Sequence, residues 1–528
     1  MNFEKKKNGL FNASLFLYNF NSLNLDLSEA CKMLPQMIKM KKHIHKLTLN
    51  FRCKQFENAE KYKSLIREIL GMPTLRELKI FGEFSCPRYD LLRVFSEYMI
   101  KNRSIKRLEL LPLHFIQNLK PFEDFIAENK SLETLILSRL ELNSPSFHIN
   151  LSKNTILKSI ILNNINSVTS REGNKLINTL NSMSNLKHIG LNSCPNISSP
   201  LLPLTLLSQH HHLTGLTLEN MNITDTAIQD LASFIKQPTP PLSFINLRRN
   251  ALTQEQIKPF LQALRSNQIL KILLLDFNQI SNEGVKSISD VLQKNSTLRV
   301  LSLNENQIGK QGGVWIRELL RSNKGIEVLR LSCNQLGSQG AAAIFQALLV
   351  NKSLKVLNLS NNNIGQENVS IFGNGLKKNK SLKYLNVSSN NLNDKEFENL
   401  CKSSSQNKLE TVLIGMNSLT EKSTNSIKLL LESPSNCQKK RSFFRRKIPK
   451  KNYLKNLFVT SSLSSRNEGN IKSYLEKSRI LKCTIMNTLN CKQFMKNAFC
   501  SKEKPNFNNE SEFHKYSNEL KLSSLSLS

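Results

Sequence analysis

Asn250, Asn278, Asn306, Asn334, Asn362 and Asn390 follow one another at an unbroken interval of 28 residues, and Asn417 follows after 27. A second set, Asn267, Asn295, Asn323, Asn351, Asn379 and Asn407, keeps the same 28-residue interval. Asparagine is abundant in this chain, so one match carries little. Two phased series with apolar residues locked between them carry a great deal. The lines LKILLLDFNQI, LRVLSLNENQI, IEVLRLSCNQL and LKVLNLSNNNI repeat one pattern across that stretch. A fixed period in this range is the signature of a solenoid, in which each unit buries its apolar face only against its neighbours.

One unit can be read residue by residue. In LRVLSL the alternation sets Leu298, Leu301 and Leu303 on one face of a strand and Val300 and Ser302 on the other. The asparagine after the strand both donates and accepts, so it can satisfy backbone groups that a buried turn would orphan. A helix follows. In VWIRELLRSN the residues Val314, Ile316, Leu319 and Leu320 are expected to face inward, as are Ala342, Ile344, Ala347 and Leu348 one unit later. Gly312 and Gly340, near the helix starts, should let each helix approach the strand layer closely. One strand and one helix per unit predicts parallel strands with the wider helices outside.

Weaker copies of the strand line reach back through IHKLTL, LRELKI, IKRLEL, LETLIL, LKSIIL, LKHIGL and LTGLTL, at spacings from 25 to 31 residues. The strand-exit asparagine lapses there, with Cys194 and Met221 in its place. The array therefore runs over residues 44–433 as about fourteen units. Residues 1–43 are expected to cap it, and residues 434–528 to form a basic, largely flexible tail.

The pattern LxxLxLxxNxI with a helix and a 28-residue period resembles the ribonuclease-inhibitor-like subfamily of leucine-rich repeats, which includes the repeat domains of NOD-like receptors and the Ran GTPase-activating protein. The resemblance implies an α/β leucine-rich-repeat horseshoe, with parallel strands on its concave face and helices on its convex face. It implies little about function, because function in such folds sits on grafted surfaces.

Composition narrows the classes. The chain is 39% hydrophobic and 22% charged, the balance of a folded soluble protein. No apolar run approaches the roughly 18–20 residues that span a bilayer. The ten cysteines show no CxxC pair, and the N-terminal stretch does not read as a secretion signal, so a reduced cytoplasmic or nuclear setting is expected. No phosphate loop, nucleophile elbow or HExxH helix occurs. His210, His211 and His212 lack partners at ligand spacing and are expected in an exposed loop. No cofactor, metal or catalytic residue is expected.

The formal charge is +34. Residues 435–528 hold 20 basic and 6 acidic side chains, a net +14. The densest part carries Lys439, Lys440, Arg441, Arg445, Arg446, Lys447, Lys450 and Lys451 with Phe443 and Phe444 among them. It fits a nuclear-import address, a patch for an anionic membrane, a nonspecific nucleic-acid contact or a solvated linker.

The positions between buried leucines supply the expected partner site: Phe277, Glu305, Arg330, Asn358, Tyr384, Asn386 and Met416. Aromatic and arginine side chains dominate binding energy at interfaces. The expected function is a non-enzymatic scaffold holding a protein across the strands. The alternatives are a GTPase activator acting in trans, presenting Arg248, Arg249 or Arg330, and a structural subunit of an assembly such as the axoneme.

Overall fold

The computed structural model describes most of residues 43–423, together with the strands at 22–26, 456–460 and 482–486. The chain falls into two compact units, residues 1–199 and 200–528.

In the first unit seven strands follow one another in parallel register: β1 (Ser22–Asp26), β2 (Lys46–Phe51), β3 (Glu77–Gly82), β4 (Arg107–Leu111), β5 (Thr134–Ser138), β6 (Ser159–Asn163) and β7 (His188–Asn192). Strand β1 comes from the expected capping segment. Helices such as Lys120–Glu128 alternate with the strands, and the leucines between them, Leu108, Leu135 and Leu162 among others, are fully buried.

The strand-exit asparagine is missing here, yet a second asparagine series supports this unit. Asn102 Nδ2 donates to Leu70 O at 2.7 Å, Asn129 to Met99 O at 2.5 Å and Asn154 to Ile126 O at 2.6 Å. Each Oδ1 accepts backbone N–H bonds from the residues that lead into the next strand, Leu132 N at 2.7 Å and Leu157 N at 2.9 Å for example. These are the helix-exit positions of the regular array, at spacings of 27 and 25 residues. Cys194 stands in for the lapsed strand-exit amide, donating its thiol to Leu162 O at 3.6 Å and Asn192 O at 3.3 Å. Burial pushes that thiol up to about 11, which keeps its proton in place for the donation.

The second unit follows the same plan with β8 (Gly215–Glu219), β9 (Phe244–Asn246), β10 (Ile272–Leu274), β11 (Val300–Ser302), β12 (Val328–Arg330), β13 (Val356–Asn358), β14 (Tyr384–Asn386) and β15 (Thr411–Leu413), each strand from β9 onward pairing in parallel with the one before it. Beyond residue 433, β16 (Asn456–Thr460) and β17 (Lys482–Met486) add two further parallel strands. The rest of the basic C-terminal stretch, including Lys439, Lys440, Arg441, Arg445, Arg446, Lys447, Lys450 and Lys451, lies outside the described residues.

Both asparagine series close the turns of this unit. Asn334 Oδ1 accepts from Asn306 N at 2.9 Å and Ile308 N at 3.0 Å, while its Nδ2 donates to Leu303 O and Leu331 O at 2.9 and 3.0 Å. The helix-exit Asn323 donates to Leu292 O at 2.6 Å and Asn295 O at 2.8 Å. An isolated peptide turn would leave such groups to water; here each repeat satisfies those of the one before.

The leucines run as expected, with Leu298, Leu301 and Leu303 fully buried. Two expectations need correction. Val314 is half-exposed rather than inward, and Ile316, Leu319 and Leu320 alone carry that face. Gly312 makes room for the buried Ile308 side chain ahead of its own helix, whereas Gly340, together with Gly313, serves helix against helix. A Cβ at Gly313 would lie 2.5 Å from Gly340 Cα, and one at Gly340 would lie 3.2 Å from Lys310 Cα. Helices Lys310–Ser322 and Gly337–Ala347 thus touch backbone to backbone. Gly313→Ala is expected to lower stability by about 1–3 kcal/mol, read as an earlier midpoint in chemical denaturation, while the exposed Gln311→Ala stays near the wild type. Equal midpoints for both would show that the contact yields without cost.

Candidate protein-interaction surface

The strand residues opposite the leucines form tiers, because parallel register stacks equivalent positions across successive strands. The first tier, at the strand starts, reads Phe244, Ile272, Val300, Val328, Val356, Tyr384 and Thr411. Ile272, Leu274, Val300 and Val328 are buried in one cluster, with Phe244 and Val356 packed against it. This side of the sheet therefore carries an apolar core of its own, where the alternation alone suggested an open face. Branched side chains on neighbouring strands interlock and shield one another.

The second tier, at the strand ends, reads Asn246, Leu274, Ser302, Arg330, Asn358, Asn386 and Leu413. The third lies in the turn just before each ladder asparagine: Arg249, Phe277, Glu305, Cys333, Asn361, Ser389 and Met416. All seven have φ between 53 and 58°. That left-handed backbone favours glycine and asparagine and costs other residues roughly 1–2 kcal/mol each. A backbone bond to the next repeat accompanies it, Arg249 N donating to Asp276 O at 3.0 Å and Phe277 N to Asn304 O at 2.8 Å for example. The same conformation recurs at Arg139, Asn164 and Ser193 in the first unit, where the asparagine has lapsed.

The seven residues expected to bind a partner are thus distributed over all three tiers. Tyr384 is in the first, Arg330, Asn358 and Asn386 are in the second, and Phe277, Glu305 and Met416 are in the third. Asn358 and Asn386 are buried, and the other five are half-buried.

A charged knot lies at the start of the second unit. Asp276, 1% exposed, pairs with Arg248 Nε at 2.5 Å and accepts from Ser302 Oγ at 2.5 Å and Asn304 N at 2.8 Å. Glu219, also buried, accepts from Asn246 Nδ2 at 3.2 Å and lies 3.5 Å from Arg249 Nε. Burial raises the Glu219 carboxyl above its ordinary value, partly offset by the positive charge of Arg248 and the Asn246 hydrogen bond. The Arg249 guanidinium stacks 3.8 Å above the Phe277 ring. Arg248 and Arg249, the arginines that an activator acting in trans would extend, are engaged within the chain. Glu219 escaped sequence reading because its unit has lost the strand-exit asparagine, although a glutamate ending LTGLTLE was a visible signal.

His210 is buried at 1% exposure ahead of β8, against the expectation of an exposed loop; His211 and His212 are exposed. Among the described residues no cluster of His, Cys, Asp or Glu is placed to hold a metal, and no helix is long and apolar enough to cross a membrane.

The leucine-rich repeat family model matches residues 266–289, 294–314, 322–345, 350–367 and 378–395. No curated protein matches the chain. Among solved structures, the chain is similar to actin-binding site 2 of leiomodin-1, at 23% identity and a TM-score of 0.26 over 28% of this chain and 86% of that one. It is also similar to a tropomodulin C-terminal domain from Caenorhabditis elegans, at 17% identity and a TM-score of 0.25 over 28% of this chain and 89% of that one. At those scores neither likeness bears on fold or function. The matched repeats do, since each contains one of the strands whose exit turns the asparagines close, and on that ground residues 266–395 carry leucine-rich repeats within an α/β leucine-rich-repeat solenoid.

Proposed function

We propose that this protein is a non-enzymatic scaffold that holds a protein partner across the strand-end and turn tiers of the second unit. The single observation that carries this reading is the third tier. Phe277, Arg249 and Met416 occupy left-handed backbone at half-buried positions where glycine or asparagine would be more stable. Bulky residues kept at a conformational cost point to a use for their side chains. They are also the side-chain types that anchor interfaces. A cytoplasmic or nuclear setting goes with this reading.

The test is affinity purification on the full chain, wild type against the triple variant Phe277→Ala, Arg330→Ala and Met416→Ala. The variant is expected to lose partners that the wild type retains, with a combined effect above 2 kcal/mol, or roughly 30-fold. Identical partners at identical yield would move the binding surface elsewhere.

A further inference from the structure

The second tier holds one chemical arrangement three times, and it is filled only once. Asn246 Oδ1 accepts from Arg248 N at 3.0 Å, Asn358 Oδ1 from Ser360 N at 3.0 Å and Asn386 Oδ1 from Ser388 N at 3.0 Å. In each case the bond to the residue two places on fixes the amide, so Nδ2 is the group left to serve an outside acceptor. At Asn246 that acceptor is the Glu219 carboxylate, 3.2 Å away. Glu219 lies two residues past Thr217, the register partner of Asn246. The corresponding positions are Ser332 for Asn358 and Ser360 for Asn386. A serine side chain is two heavy atoms shorter than glutamate at either place. Asn386 Nδ2 consequently has no hydrogen-bond acceptor among the described residues, although Asn386 is 0% exposed. A buried donor without a partner calls for explanation.

The cationic neighbour completes the picture. Arg330, Asn358 and Asn386 are in direct register on β12, β13 and β14, about 4.8 Å from strand to strand. The row deepens from the half-buried Arg330 through Asn358, 9% exposed, to Asn386. Arginine and a pinned amide together form a donor set for a carboxylate. Val328, Val356 and Tyr384 at the strand starts, and Ser332, Ser360 and Ser388 two places past the strand ends, add no negative charge.

We propose that Arg330, Asn358 and Asn386 form a receptor for a carboxylate on an acidic peptide segment of a protein partner, which takes the place that Glu219 fills for Asn246. This deepens the scaffold reading and rests on it.

The experiment uses the full chain and a displayed library of random dodecapeptides. Counter-selection is against the Asn358→Asp chain, which carries the same basic C-terminal stretch. Asn358→Asp is nearly isosteric and keeps the oxygen that serves Ser360 N and Oγ, but replaces the donor with a repelling carboxylate. Surviving peptides are expected to share an Asp or Glu at one position. They should bind the wild type roughly tenfold or more tightly than Asn358→Asp, and lose affinity again on Arg330→Gln or when the shared acid is made Gln or Asn. A circular-dichroism melt checks that Asn358→Asp is folded; if it is not, Arg330→Gln provides the counter-selection. No survivors, survivors without a shared acid, or binding indifferent to Arg330→Gln would overturn the receptor. Partners captured by the wild type and lost by the triple variant, with no peptide surviving, would leave the scaffold and remove the receptor alone.

Discussion

Asp276→Ala is expected to lower the stability of the second unit by about 3 kcal/mol. The carboxylate is 1% exposed and serves three donors from the two flanking repeats at once: Arg248 Nε, Ser302 Oγ and Asn304 N. Removing it strands a guanidinium and two shorter donors. The Arg248 side chain is 21% exposed and can turn partly to water, which holds the loss to the lower end of the range for broken buried pairs. Asp276→Asn keeps the shape and one acceptor oxygen, so it should fall between wild type and alanine. The measurement is chemical denaturation followed by the fluorescence of Trp315, in the helix of the next repeat. Wild-type midpoints for both variants would show that the knot is electrostatically neutral to folding.

Asn334→Ala should cost a similar amount, about 2–5 kcal/mol, by a different route. Its Oδ1 is the acceptor for Asn306 N and Ile308 N, and its Nδ2 the donor to Leu303 O and Leu331 O. Alanine removes these bonds, together with a longer one to Ser332 O at 3.3 Å, and leaves two buried backbone N–H groups without partners, each worth about 1–3 kcal/mol. Because repeats lean on their neighbours, the damage should appear first as local opening. Hydrogen exchange is the direct measure: the amides of Asn306 and Ile308 should lose protection, while that of Leu216 in β8 should not. Uniform protection everywhere would mean the turn closes without the asparagine.

The fold was legible in the sequence because its supports recur. Ladder asparagines and buried leucines each answer to one physical demand, a closed turn or a filled core, and the same demand returns every 28 residues. Asn102, Asn129 and Asn154 were harder to see because their spacing drifts with helix length, though their bonds match those of Asn323. The exposure of strand positions was the part least visible. Alternation told which face Val300 and Ser302 share, but not that their cross-strand neighbours would bury both. The amide of Asn386 shows the same limit. A sequence displays its type and its row, whereas the missing acceptor is a matter of what Ser360, one strand away, is too short to supply.

The left-handed turn that carries Arg249, Phe277, Glu305 and Met416 also affects the entropy of recognition. Binding loops ordinarily lose backbone freedom when they engage a ligand, and that loss is subtracted from affinity. Here backbone bonds to the adjoining repeat have already fixed the chain beneath Arg249, Phe277 and Glu305, whose N–H groups donate to Asp276 O, Asn304 O and Ser332 O. Only their rotamers remain to be ordered on contact, so a partner meets a preorganised set of anchors at a strand-to-strand spacing of about 4.8 Å.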